Sequence, residues 1–202
     1  MSPKKINKEI KRREIALACF DLVHDARMRN LTVADVAKKA EIGKGTIYEY
    51  FENKDDIIFE IINMHIKFQH NEIINNIKKE KIIKNKVLQL FKFVTNSSEE
   101  NLKHFNGYRE YLSIVLAEEN IKRCKFNNSC TNFFRNQLSL IIEEGIKNDE
   151  LLPIARNFID GIMIFEKGLT LMKMTQLEFN AVDACEKFLD NIFEVMEKKD
   201  DK

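Results

Sequence analysis

Apolar side chains return every three or four residues along nearly the whole chain, and little interrupts them. Only 6 glycines and 2 prolines punctuate 202 residues. Chains built from strands need many tight turns, and such turns draw heavily on both residue types. An all-α fold is therefore expected. The same scarcity excludes a phosphate-cradling loop. Gly43, Gly45, Gly107, Gly145, Gly161 and Gly168 fit neither G-x-x-x-x-G-K-[ST] nor G-x-G-x-x-G.

The stripes place the helices. Ile15, Cys19, Leu22, Val23 and Ala26 share one face of a first helix. Val33, Val36, Ala37 and Ala40 mark a short second one, and Ile47 with Phe51 a short third. A long fourth helix follows, with Ile57, Ile58, Ile61, Ile62, Phe68, Ile73 and Ile77 directed inward. Asn53 is placed to cap it, and Asp55 and Asp56 suit the positive end of its dipole. Ile83, Val87, Leu90, Phe91 and Val94 form the next stripe. Ser97 or Ser98 is placed to cap the helix after it, which carries Phe105, Tyr108, Leu112, Val115 and Leu116. Phe126, Cys130, Phe133, Phe134, Leu138, Ile141 and Ile142 form another, ending near Gly145. Residues 147–153 read as a loop whose Pro153 opens a helix.

The last two helices are expected over about 154–174 and 177–197. On the final one, Ala181, Cys185, Phe188, Ile192 and Val195 share a face, with Leu189, Phe193 and Met196 beside it. The total is about nine helices. Three short ones occupy residues 1–55, the fourth starts near residue 54 as a link, and longer ones fill 56–198. Residues 199–202 are a charged tail, expected to be disordered.

Charge and chemistry narrow the function. The net charge is only +1. Lys4, Lys5, Lys8, Lys11, Arg12 and Arg13 nevertheless cluster against a single Glu9, an arm suited to lying along phosphates or simply a solvated terminus. No apolar run approaches the ~18 residues of a membrane span, and no apolar signal core follows the basic start, so a cytoplasmic protein is expected. Cys19, Cys124, Cys130 and Cys185 are scattered, without a C-x-x-C pair, and read as small packed side chains. His24, His65, His70 and His104 lack ligand spacing, so no metal is expected. No nucleophile–base pair is visible either. Neither an enzyme nor a cofactor is expected.

The informative stretch is TVADVAKKAEIGKGTIYEYFENK, residues 32–54. Thr32 with Asp35 three residues later approximates a capping box. Two-turn helices over 33–40 and 44–51 flank a short turn, which is the helix-turn-helix layout. Ile47 and Phe51 are placed to enter a core. Lys44, Gly45, Thr46, Tyr48, Glu49 and Tyr50 are left for another surface. Donors and a small residue at the first turn of a helix are what base edges and phosphates require. The competing reading is a helix of an unrelated bundle, with both tyrosines packed inside.

The stretch resembles the DNA-binding domain of the TetR family of regulators. The resemblance rests on Thr32, Val33, Ala37, Ala40, Lys44, Gly45, Thr46, Ile47, Tyr48, Tyr50, Phe51, Asn53, Lys54 and Asp55. Ile15, Ala18, Leu22 and Val23 fit the first helix, so the match spans about residues 8–62. It implies that Thr32 and Tyr48 contact phosphates. Lys44, Gly45, Thr46 and Tyr50 lie in or beside the major groove, and Lys54 holds a phosphate. Arg27 and Met28 stand where the family has Gly and an aromatic residue. Glu41 replaces a turn glycine, which should shift the turn slightly. Gly43 replaces a small polar residue, and Glu49 would be repelled by phosphate.

The resemblance further implies a larger C-terminal domain that binds a small molecule and dimerises. Phe91, Phe105, Tyr108, Tyr111, Phe134 and Met163 are the candidate ligand lining. The last two helices would form the homodimer interface through Phe158, Gly161, Phe165, Gly168, Phe188 and Ile192; the two glycines, seven apart, share a face. For both sets the plain alternative is intramolecular core. The expected function is that of a dimeric repressor, released from a double-stranded DNA operator by an apolar or amphipathic effector. The alternative is a ligand-binding or interaction protein of the same fold that has lost DNA binding.

Overall fold

The computed structural model describes residues 7–20, 31–117 and 121–199, without the side chains at 100, 103, 110, 114–117 and 121–126. The positions Lys4, Lys5, Leu22, Val23, Ala26, Arg27 and Met28 lie outside it, as do residues 200–202. So do the side chains of Val115, Leu116, Cys124 and Phe126.

Nine α-helices are present among the described residues: α1 Lys8–Ala18, α2 Val33–Lys39, α3 Lys44–Tyr50, α4 Lys54–Lys79, α5 Ile83–Thr95, α6 Glu99–Ala117, α7 Ile121–Lys147, α8 Ile159–Thr175 and α9 Ala181–Met196. A 3-10 helix, Pro153–Phe158, precedes α8 with its proline at the start. Pro lacks an N–H, and the first turn of a helix does not need one. The α8 helix proper therefore starts later than the apolar pattern implied.

The chain divides into two compact units. The first comprises residues 1–69 and 98–119. Its interior is built from Ile15, Ala16, Cys19, Val36, Ala37, Ile47, Phe51, Ile57, Ile58, Ile61 and Ile62, all buried. Fully burying an aliphatic or Phe side chain contributes roughly 1.5–3 kcal/mol, so short helices become stable once they share this core. Phe68 was expected inside as well, yet it is 53% exposed. Only its edge meets Phe20, with ring centroids 6.3 Å apart. His65 takes the inward place instead. It is buried, stacks on Phe20 at 3.5 Å and donates its Nε2–H to the Phe20 carbonyl at 2.8 Å. Ser98 caps α6 through the Asn101 N–H at 3.2 Å.

The second unit comprises residues 70–97 and 120–202. Here α5 packs on α7 and α9, and α8 packs on α7 and α9. Val87, Phe91, Val94, Leu138, Ile142, Ile162, Cys185, Leu189 and Phe193 fill its core. Close to the end of α7, a Cβ on Gly145 would come within 2.8 Å of the Leu151 side chain, so only Gly admits that contact. After α7, Asp149 takes φ 64°. The N–H of Glu150 then returns to the Gly145 carbonyl at 2.9 Å, and that of Asp149 to Ile146 at 3.2 Å. These paired bonds satisfy carbonyls that a helix end leaves open. An antiparallel bridge, Leu151 with Glu197, ties this turn to the end of α9.

The α9 face also departs from expectation. Its inward stripe is Ala181, Cys185, Leu189, Phe193 and Met196. Val195 points outward and is 53% exposed, while Phe188 and Ile192 are half-buried. Both stripes are apolar, so periodicity alone could not choose between them.

Candidate DNA-reading interface

Local chemistry builds the reader. The Thr32 side chain accepts the Asp35 N–H at 3.2 Å, and the Asp35 carboxylate accepts the Thr32 N–H at 2.9 Å. The capping box is complete, and a carboxylate suits the positive end of α2. Hydrogen bonds from the Thr32 hydroxyl and N–H also hold the Asp35 carboxyl below its ordinary pKa.

The turn after α2 closes on Glu41, which takes φ 55°. The Ile42 N–H reaches the Ala37 carbonyl at 3.0 Å and the Glu41 N–H reaches Lys38 at 3.3 Å. Glu41 thus adopts the left-handed position itself, where a glycine would be free of strain. Holding a non-glycine residue there costs roughly 1–2 kcal/mol.

This turn delivers α3 with its two faces separated. Ile47 and Phe51 are 0% and 2% exposed. Lys44, Gly45, Tyr48 and Glu49 are exposed, Tyr48 at 54%, and Thr46 and Tyr50 are half-buried. An unrelated bundle helix with both tyrosines packed inside is excluded by Tyr48. Nothing stands within 4 Å of a Cβ built on Gly45, so the first turn is open to an approaching surface. Thr32 is exposed and Lys54 half-buried at the start of α4. Asn53 caps α4 as expected, its side-chain oxygen accepting the Asp56 N–H at 2.9 Å.

Arg12 takes neither place expected of the basic arm, along phosphates or in solvent. Its guanidinium points inward and donates to the Tyr50 carbonyl at 2.6 Å. It also donates to both Asp56 oxygens at 3.0 Å and to Glu60 at 3.2 Å. It lies 4.4 Å above the Phe51 ring. The hydrogen bond to Asp56 leads the causes that raise the Arg12 pKa. Lys11 pairs with Glu14 on its own helix, whereas Lys8 and Arg13 are exposed. Arg12 escaped sequence reasoning because its partners are 38 to 48 residues away. The one available signal was a basic residue three positions before the buried Ile15.

The remaining candidates fall as follows. Phe105 and Tyr111 are buried in the first unit, with Tyr108 half-buried beside Tyr111 at a centroid distance of 5.8 Å. Phe91 and Met163 are buried in the second unit, where Phe91 meets the half-buried Phe134 edge-on at 6.0 Å. On α8, Gly161 and Gly168 are exposed, and nothing stands within 4 Å of a Cβ built on either. Phe158 is half-buried, and Phe165 stacks on Phe188 of α9 at 3.6 Å. The outward face of α8 adds two residues that sequence reasoning missed, Ile164 at 73% and Leu171 at 60% exposure. Their spacing from Gly161 and Gly168 was the available clue.

Among the described residues no cluster of three or more potential metal ligands exists, and no helix is long and apolar enough to cross a membrane. Cys19 and Cys185 are buried and Cys130 is half-buried. Burial pushes the Cys185 thiol up to about 12, with Glu186 contributing.

A family model described as bacterial regulatory proteins, tetR family, matches residues 22–61. The fatty acid metabolism regulator protein of Bacillus subtilis is 24% identical over 180 residues, covering 84% of this chain and 87% of that one. Among solved structures, a TetR-family transcriptional regulator from Cytophaga hutchinsonii superposes with a TM-score of 0.73 at 15% identity, covering 97% of this chain and all of that one. The Bacillus subtilis regulator FadR in complex with stearoyl-CoA superposes with a TM-score of 0.57 at 21% identity, covering 89% and 96%. The boxed α2, the tight turn and the outward polar face of α3 all lie within the matched segment, and over residues 22–61 the chain is similar to the bacterial regulatory proteins of the tetR family.

Proposed function

We propose that this protein is a TetR-family transcriptional regulator, a cytoplasmic homodimeric repressor released from its operator by a small apolar or amphipathic effector. Residues 1–55 read DNA, α4 links, and residues 56–198 bind the effector and dimerise. The carrying observation is the division of α3: Ile47 and Phe51 are anchored beneath, while Lys44, Gly45 and Tyr48 are exposed above. Lys44, Gly45, Thr46 and Tyr50 would meet the major groove. Thr32, Tyr48 and Lys54 would hold phosphates, which fix register while base edges fix sequence.

The dimer reading is supported by the outward face of α8. Gly161, Ile164, Gly168 and Leu171 leave aliphatic surface and room for a second helix. Phe158, Phe165, Phe188 and Ile192 flank it. A contiguous apolar face on a soluble protein marks an interaction surface. Two readers spaced for half-sites about 34 Å apart need a partner to hold them. The effector reading is supported by the stearoyl-CoA complex of FadR and by the edge-on pair of Phe91 and Phe134, with Met163 buried in the same unit.

A gel-shift assay on the duplex upstream of its own gene tests the proposal, with stearoyl-CoA and stearate as probes. A shift that micromolar stearoyl-CoA abolishes is the expected result. A shift indifferent to both amphiphiles removes that effector class. No shift on any duplex favours the fold having lost DNA binding.

A further inference from the structure

The recognition helix has only seven residues and closes on Phe51, whose backbone N–H reaches the Ile47 carbonyl and whose ring carries no group to bond the remaining carbonyls. A helix of two turns does not hold its own pose. Ile47 and Phe51 anchor one narrow stripe, which sets the depth of the helix and leaves it free to tilt. The last carbonyls of any helix also lack partners within it. At this end the missing partner arrives from α1, because Arg12 bonds the Tyr50 carbonyl at 2.6 Å.

The same guanidinium grips α4 at two levels. Both Asp56 oxygens accept from it at 3.0 Å, and Glu60, one turn further, accepts at 3.2 Å. Asp56 also accepts the Glu52 N–H at 3.3 Å, which brackets the connection from α3 to α4. The Phe51 ring below fixes the plane of the fork. One planar side chain thus joins α1, the end of α3 and the start of α4. Lysine has the charge but not the fork.

We propose that Arg12 is a positioning residue for DNA reading. It locks the tilt of α3 against α4 without touching DNA, so that specificity depends on it more than affinity for DNA in general. The proposal rests on α3 being the DNA reader. Lys44, Gly45 and Thr46 sit at the end of α3 opposite the lock, about 6–9 Å away along a helix rising 1.5 Å per residue. A tilt of about 10° about the locked end would displace them by roughly 1–1.5 Å. Hydrogen bonds to base edges do not survive such a shift, since their useful range spans only about 0.5 Å. Phosphate attraction is long-ranged and does survive it.

The test uses the full chain and the tightest duplex it selects from a random pool, compared with a scrambled duplex of equal length at one salt concentration. Three variants are needed: Arg12→Gln, Arg12→Lys, and Arg12→Gln combined with Asp56→Asn and Glu60→Gln. Melting of each is followed by circular dichroism. Both single variants should lower the preference for the selected duplex at least tenfold, with binding to the scrambled duplex changed less than twofold. The triple variant, which removes the two carboxylate charges along with the fork and so leaves no unpaired charge, should not recover the preference. An undiminished preference in Arg12→Gln overturns the proposal. So does recovery in the triple variant, which would reduce Arg12 to a counterion. Equal loss on both duplexes, in step with lost helix, would make its role merely structural. Absence of any preference in the unaltered protein would sink the DNA-reading assignment first and this proposal with it.

Discussion

Helices α3 and α8 each turn a face to solvent that their own unit does not use, and the two faces are opposite in character. The α3 face carries an ammonium, a phenol, a hydroxyl and a bare glycine. The α8 face carries Gly161, Ile164, Gly168 and Leu171. The first suits a wet, anionic partner with hydrogen-bonding edges; the second suits a dry surface of similar helices. Polar groups exposed on a small, firmly seated helix wait for a polar ligand, and aliphatic groups exposed on a long one wait for burial.

The strongest way to break this comparison is to charge the α8 face. Ile164→Glu combined with Leu171→Glu should convert the protein to monomers in sedimentation and lower operator affinity about 100-fold or more. A pair of half-sites bound jointly gains affinity by about that factor. Helix content should stay unchanged, and an unaltered dimer would place the interface elsewhere.

Changes on α3 come next. Lys44→Ala or Tyr48→Ala should weaken operator binding about tenfold or more while melting stays constant, because neither side chain supports the core. Lys44→Ala should also reduce the slope of log affinity against log salt by about 1 per reader. Full affinity in either variant would remove that residue from the interface.

The smallest expected effect concerns the second unit alone. Burial, assisted by the positive charge of Lys167, lowers the His70 pKa to about 4 from its usual 6.5. The unfolded chain therefore takes up a proton at a pH where the folded one does not. Stability is complete above pH 6.5 and declines as the pH falls toward 4. The full swing is at most about 3 kcal/mol, and less because the ring is partly exposed to screening solvent. Melting temperature should fall between pH 7 and pH 5, and His70→Phe, which keeps the stack on Phe133, should flatten that decline. An equal decline in the variant would assign it to other groups.

The reader was legible in the sequence because its determinants are local. Thr32 with Asp35, and Asn53 with Asp56, act across only three residues. Glu41 is the exception that shows the mechanism. The sequence argued against a left-handed residue there, and the paired bonds from Ile42 and Glu41 hold it nonetheless. Elsewhere the pattern was ambiguous. Phe68 and Val195 sit in apolar stripes yet face solvent, and the 3-10 turn displaces the start of α8.

The amino-acid order alone determined an all-helical chain, a capped pair of short helices and a polar α3 face. Each depends on residues within one or two helical turns of each other, where geometry follows directly from identity. Tertiary structure decided which of two apolar stripes on α9 became core, and that Arg12 turned inward to Tyr50, Asp56 and Glu60. Those outcomes depend on groups brought together from across the chain, and burial is a property of that assembly rather than of any segment within it.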